Sequence, residues 1–156
     1  MKNVIVVENF LSEEECAYYR KIIDDGYKKQ SLQLIAKRED IVNKFVVDHI
    51  HDLRMINLNG DTTKGVHNDV TLSRSSKALP RHKDKVIRKD DKWKLLIYLN
   101  DVKEGGGTIF YEDMKTKEGF KVHNKIGSAV FFDISLPHAG ERISEQKYTI
   151  GFRLII

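Results

Sequence analysis

The hydrophobic rhythm of the chain changes about two-fifths of the way along. Before residue 60 apolar positions recur mostly at helical spacing; from residue 68 onward they alternate in short runs. "NVIVVENF" (3–10) alternates enough for a strand. "LSEEECAYYRKIIDDGY" (11–27) then brings Cys16, Tyr19, Ile22 and Ile23 to one helical face. Ser12, followed three residues later by Glu15, supplies a capping box at its start. A second helix, whole or broken in two, is expected within 31–56. Five β segments come next: "DVTLSR" (69–74), "WKLLIYLND" (93–101), "GTIFYED" (107–113), "SAVFFDI" (128–134) and "YTIGFRLII" (148–156). Turn signals such as Gly105-Gly106-Gly107 and Lys125-Ile126-Gly127 separate them. Helices first, then antiparallel strands, describe an α+β chain, or a sandwich or barrel flanked by helices.

Composition narrows the function classes. A chain of 156 residues with 40% hydrophobic residues suits one domain, 1–156, with a real core. Its 32% charged residues belong to an ordinary globular protein rather than a disordered one. Cys16 is the single cysteine, which excludes a disulfide framework and a cysteine-based zinc site, and it is expected to be a small core residue. No apolar stretch approaches the roughly 18 residues of a membrane span. The apolar run in "MKNVIVVENF" is too short for a secretory signal. The expectation is a cytoplasmic protein, or one made in host cytosol by a virus or phage. The net charge of +4 is uneven, because residues 71–103 hold ten Lys/Arg against four Asp/Glu. Such a stretch attracts nucleic acid or an acidic protein, or is simply a solvated face.

One short motif within that stretch asks for chemistry. In "LPRHKDK" (79–85) a histidine stands two residues before an aspartate, and a solvated basic loop needs neither. In extended backbone, positions i and i+2 point to the same side, so His82 and Asp84 are able to share one metal ion. Two imidazoles and a carboxylate on one face of an ion suit non-haem Fe(II), and His138 in "SLPHAG" is the candidate third ligand. The pattern alone is weak, since His67-Asn68-Asp69 is a second copy of it.

The residues downstream separate the two copies. After His82-x-Asp84 come "YLN" (98–100), then Gly105, Gly106, Thr108 and Phe110 in a "GG-x-T-x-F" order. Gly127 and Phe131 come next as "G-x-x-x-F", then His138 and Lys147. In this order and spacing the chain resembles the Fe(II)- and 2-oxoglutarate-dependent dioxygenases, specifically their prolyl 4-hydroxylase-like branch. The likeness covers residues 68–156, and "VIVVENFLSEEEC" resembles the start of that branch. It implies a double-stranded β-helix (jelly-roll, cupin-like) core over 68–156, with the strand and helices of 1–60 packed on one sheet. It implies Fe(II) on His82, Asp84 and His138, with 2-oxoglutarate and O2 as cosubstrates and ascorbate as a reductant. It makes Lys147 the anchor of the distal 2-oxoglutarate carboxylate, with Tyr98 and Thr149 beside it. His67 and Asp69 are then expected in a loop before the first barrel strand. Asp84 excludes the halogenating relatives, which lack this carboxylate.

The last strand carries two readings of its own. One face holds Lys147, Thr149, Gly151 and Arg153; the other holds Tyr148, Ile150, Phe152 and Leu154. In a simple sandwich the apolar face is core and the lysine meets water. In a jelly roll whose lumen holds a dianion, the polar face looks inward and the N-terminal helices cover the apolar one. Arg153 stands where prolyl hydroxylases often carry tryptophan, and "KYTIGFR" is locally similar to the closing strand of DNA-alkylation-repair dioxygenases. Arg153, Arg74, Arg88 and Lys92 are the candidate substrate contacts, and "DKVIRKDDKWK" (84–94) is expected to be a mobile lid. Trp93 shares a face with Leu95 and Ile97 and is expected in the core. The leading function is hydroxylation of a protein or peptide C–H with release of succinate and CO2. The alternatives are a nucleic-acid or small-molecule dioxygenase on the same scaffold, and a non-enzymatic jelly-roll binding module.

Overall fold

The computed structural model describes residues 1–29 and 34–156. The chain opens with strand β1 (Val4–Val7), helix α1 (Glu13–Lys29), strand β2 (Leu34–Lys37) and helix α2 (Glu39–Met55). Strands β3 (Gly65–Ser75), β4 (Leu79–His82), β5 (Trp93–Tyr98) and β6 (Thr108–Phe110) come after them. β7 (Phe120–Val122), β8 (Ala129–Asp133), β9 (His138–Gly140) and β10 (Lys147–Ile155) complete it.

Two antiparallel sheets result, a larger one ordered β1-β8-β5-β10-β3-β2 and a smaller one ordered β4-β9-β6-β7. Their facing sides enclose a small core of Val4, Tyr98, Phe110, Val122, Val130 and Phe132. The other side of the larger sheet carries the main core, where Phe152, Ile150, Leu95 and Phe131 meet Cys16, Tyr19, Ile23, Phe45 and Leu53 of the two helices. Phe45 stacks on Phe152, ring centroids 4.2 Å apart. The alternation of β10 therefore resolves as the jelly-roll reading requires: its apolar face is covered by helices and its polar face looks between the sheets.

Local chemistry explains how α1 docks. The capping box forms in full: the Ser12 backbone N–H donates to Glu15 Oε1, and the Glu15 N–H donates to Ser12 Oγ. Glu15 Oε2 also meets His49 Nε2 of α2, while Asp52 Oδ2 lies 3.2 Å from His49 Nδ1. A buried histidine thus clasps the two helices between carboxylates. Gly127, just before β8, has φ +79°, and a Cβ there would fall 2.4 Å from the Leu11 carbonyl oxygen. The Phe10 and Leu11 N–H groups donate to its own carbonyl, so the turn holds the entry to α1.

Three expectations change. The segment before α2 is a strand, β2, paired with β3, where a helix was expected to begin; residues 30–33 lie outside the described ones. His67 and Asp69 are not in a loop but within β3, at a bulge where Phe152 faces Val70 and Leu154 faces Val66. The short strands β4, β7 and β9 are additions, each too brief to alternate detectably in sequence.

Candidate active site

The centre of the smaller sheet gathers the three expected ligands. His82 ends β4 and His138 begins β9, and the two strands pair them directly opposite one another. Asp84 lies two residues past β4, turned inward, its side chain 9% exposed. Its Oδ1 lies 3.2 Å from His138 Nε2 and 3.7 Å from His82 Nε2. One ligand-capable atom from each residue falls within 4.8 Å of the others, the only such trio among the described residues. Phe110 and Phe132 pack beside His138, at 5.8 and 5.0 Å between centroids, and fix the ring.

Hydrogen bonding selects which nitrogens face inward. His82 Nδ1 lies 2.8 Å from the Pro80 carbonyl oxygen, and His138 Nδ1 lies 3.0 Å from that of Leu136. A carbonyl only accepts, so each Nδ1 carries the proton and each Nε2 is left as the ligating nitrogen. Burial works to raise the Asp84 carboxyl, but His138 and the Lys94 ammonium outweigh it and hold it far below the usual carboxylate range. Asp84 Oδ2 is buried with no donor in hydrogen-bond geometry, the Lys94 Nζ lying 3.4 Å away. A buried carboxylate oxygen left under-satisfied beside two oriented imidazoles fits a divalent cation.

Deeper between the sheets lies a second polar group. Lys147 Nζ sits over the Tyr98 ring, 5.2 Å from its centroid, and no carboxylate comes within ion-pair distance of it among the described residues. Glu141, the acid whose charge acts on it, is committed to Lys121 at 3.0 Å. Burial pushes the Lys147 ammonium down to about 8, with Glu141 opposing. Tyr98 is fully buried and shares a 2.6 Å hydrogen bond with Thr108 across the two sheets. Burial raises its phenol well above the ordinary value, the Thr108 bond working against it. Thr149 pairs with Tyr98 in register. An uncompensated cation among buried hydroxyls fits the distal carboxylate of a dianionic cosubstrate.

The expected substrate contacts are not brought to the trio. Arg74 lies on the helix side, paired with Asp24 at 2.7 Å and stacked over Tyr27. Lys92 pairs with Asp61 at 2.7 Å, which also accepts from the indole of core residue Trp93. Arg88 pairs with Asp69 at 2.5 Å and Arg153 with Asp91 at 2.8 Å. Asp91 further accepts from the Ile87 and Arg88 N–H groups. The expected mobile lid is therefore tied to β3 through Asp69 and to β10 through Arg153. Arg88, Asp91 and Lys92 have partners whose distance in sequence concealed them.

Sequence reasoning missed Lys94, although its parity with Leu96 and Tyr98 puts it on the inward face of β5. Gly151 makes room for it: a Cβ there would come within 3.2 Å of Lys94 Cε.

Comparison with known proteins agrees with this geometry. The sequence profile of the 2OG-Fe(II) oxygenase superfamily matches residues 66–153. No curated protein matches the sequence. Among solved structures, the chain is similar to a Trichoplax adhaerens prolyl hydroxylase in complex with a hypoxia-inducible-factor peptide fragment. That match has 16% identity and TM-score 0.73, and covers 99% of this chain and 84% of the other. A Pseudomonas putida prolyl-4-hydroxylase matches with 14% identity and TM-score 0.69, over 100% and 90% of the two chains. A viral collagen prolyl hydroxylase from Paramecium Bursaria Chlorella virus-1 matches with 18% identity and TM-score 0.68, over 99% and 90%. At these identities the likeness establishes the fold, a double-stranded β-helix flanked by helices.

Proposed function

Because the chain belongs to the 2OG-Fe(II) oxygenase superfamily, and is thus a 2-oxoglutarate-dependent non-haem iron dioxygenase, we propose that it hydroxylates a peptide or protein C–H bond. The observation that carries the reading is the trio His82, Asp84 and His138, oriented through Nδ1 and converging within 4.8 Å. In this reading they hold Fe(II), Lys147 holds the distal carboxylate of 2-oxoglutarate, and Tyr98 and Thr149 line its pocket. Iron and 2-oxoglutarate, when bound, supply the oxidising power, with succinate and CO2 released as one oxygen atom enters the substrate.

The chain's own residues orient and exclude. The Pro80 and Leu136 carbonyls keep both imidazoles in one tautomer. Lys94, 3.4 Å from the second Asp84 oxygen, offsets the charge of the buried carboxylate. Phe110, Val130 and Phe132 keep the lumen dry, which strengthens the Lys147–carboxylate contact. The peptide assignment draws support from the prolyl-hydroxylase fold.

The test is succinate release with Fe(II), 2-oxoglutarate and ascorbate over pools of proline-containing peptides, oligonucleotides and free amino acids. The expected result is stimulation by peptides. His82→Ala should abolish Mn(II) binding and turnover, and His67→Ala should retain both. Stimulation by an oligonucleotide, lost between about 50 and 200 mM salt, would replace the peptide substrate with a nucleic acid.

A further inference from the structure

Resting on the peptide-hydroxylase reading, we propose that residues 77–89 form a docking strip for an acidic peptide segment in extended conformation. The cations around the site divide into two sets. Arg74, Arg88, Lys92, Lys94 and Arg153 are consumed by Asp24, Asp69, Asp61, Asp84 and Asp91. Lys77, Lys83, Lys85 and Lys89 are exposed, and none makes an ion pair among the described residues. All four of these lie on the stretch that carries His82 and Asp84. Pairing has therefore consumed the positive charge on the helix side; apart from Lys147 in the lumen, the cations around the site without an ion pair among the described residues lie on the rim. Asp90, just beyond the strip, and Asp113, beside Arg81, are exposed neighbouring carboxylates.

Two further features favour an extended peptide over another anion. β4 is an edge strand: β9 pairs one side of it, and the other side has no strand against it among the described residues. A chain laid there passes beside His82; Pro80 lacks an N–H and its carbonyl lies 2.8 Å from His82 Nδ1, so side-chain contacts carry more of the binding than backbone hydrogen bonds. Apolar side chains are interspersed with the lysines along the strip, Leu79, Val86 and Ile87 being 53, 61 and 57% exposed. A strip of mixed apolar and basic character matches a peptide that carries both carboxylates and hydrophobic residues. Little ring surface lies beside the strip for base stacking. Trp93 and Tyr98 are buried, and the Tyr111 face is covered by the Arg81 guanidinium 3.4 Å from its centroid.

The experiment is fluorescence anisotropy of the whole chain with labelled peptides of one length, each with a central proline and flanks that are acidic, neutral or basic. The Mn(II)- and 2-oxoglutarate-loaded protein is used at low and high salt. The acidic peptide should bind about tenfold more tightly than the basic one at low salt, a preference that shrinks as salt screens it. Lys77→Glu, Lys85→Glu and Lys89→Glu together should reverse the order. Equal binding of acidic and basic peptides overturns the proposal, as does tighter binding of single-stranded DNA of matched charge. The wild-type series decides the question even if the triple variant misfolds. Uncoupled succinate release by wild-type protein without peptide reports separately on the dioxygenase reading, so the two fail independently.

Discussion

Lys147 shows what a single side chain contributes at this site. A half-buried ammonium without a carboxylate partner is a standing cost to the fold, one that a dianionic ligand repays in binding. Its depressed value, about 8 against an ordinary 10.5, fixes the sign of the pH dependence. Below about 8 both folded and unfolded chains hold the proton and the burial penalty is fully present. Between about 8 and 10.5 the folded chain sheds it first, so stability rises with pH. Lys147→Met should accordingly be more stable than wild type at pH 7 in urea titrations, with the gap closing as pH approaches 10.5. The same variant should weaken 2-oxoglutarate binding by about tenfold or more, a charge-assisted contact being lost, with Mn(II) affinity retained. Unchanged cosubstrate binding would move the anchor to another cation. Lys147, His138 and Asp84 were legible because their types and spacing carry the chemistry. Lys94 was legible in principle, by parity along β5. Asp91 was not: its partner Arg153 is 62 residues away and nothing local marks either.

At the scale of elements, two buried ionic devices hold the architecture in place. In the first, Glu15 caps α1 and meets His49 of α2. Burial would raise its carboxyl, but the Ser12 N–H and His49 outweigh that and hold it below the ordinary value. Its contribution is present above the unfolded value and lost as pH falls. Glu15→Gln should cost about 1–2 kcal/mol at pH 7, read as a shift in urea midpoint, and much less near pH 3. The second device is Asp91, its side chain 2% exposed, which ties the segment after Asp84 to β10. Asp91→Ala leaves Arg153, its side chain 11% exposed, without its carboxylate, and the cost should be about 3–5 kcal/mol. Amide exchange should rise between residues 84 and 92 well before β5 or β8 responds. Exchange unchanged in that segment would mean that Asp91 does not anchor it. The capping box was visible as a local pattern three residues apart. The ties of segment 84–94 to β3 and β10 were not visible, because composition reports charge and not its partners.

Across the whole molecule, the candidate ligands are spread over both sheets. His82 and His138 belong to the smaller sheet, Lys147, Tyr98 and Thr149 to the larger, and Thr108 bridges to Tyr98. Ligands bound there favour the state in which the sheets face one another. Mn(II) with 2-oxoglutarate, at about a hundred times its dissociation constant, should stabilise the fold by about 2.7 kcal/mol. For a chain of this size that is a rise of roughly 5–10 °C in Tm. The rise should vanish in His82→Ala and shrink in Lys147→Met. A full rise in His82→Ala would place the metal elsewhere.

The sequence by itself determined the class of fold and the long elements, and it singled out the candidate site residues. Those rest on information that is local or ordered along the chain: period, caps, and a run of motifs whose spacing survives any detail of packing. The tertiary structure supplied the physical reason for preferring His82-x-Asp84, because strand register sets His82 opposite His138 while His67 falls in a β3 bulge. It also decided where the positive charge remains. Arginines and lysines that look alike in a basic run become either structural or available according to which carboxylates the fold carries to them. Strands as short as β4, β7 and β9 exist only because neighbours pair with them, so no pattern of their own announced them.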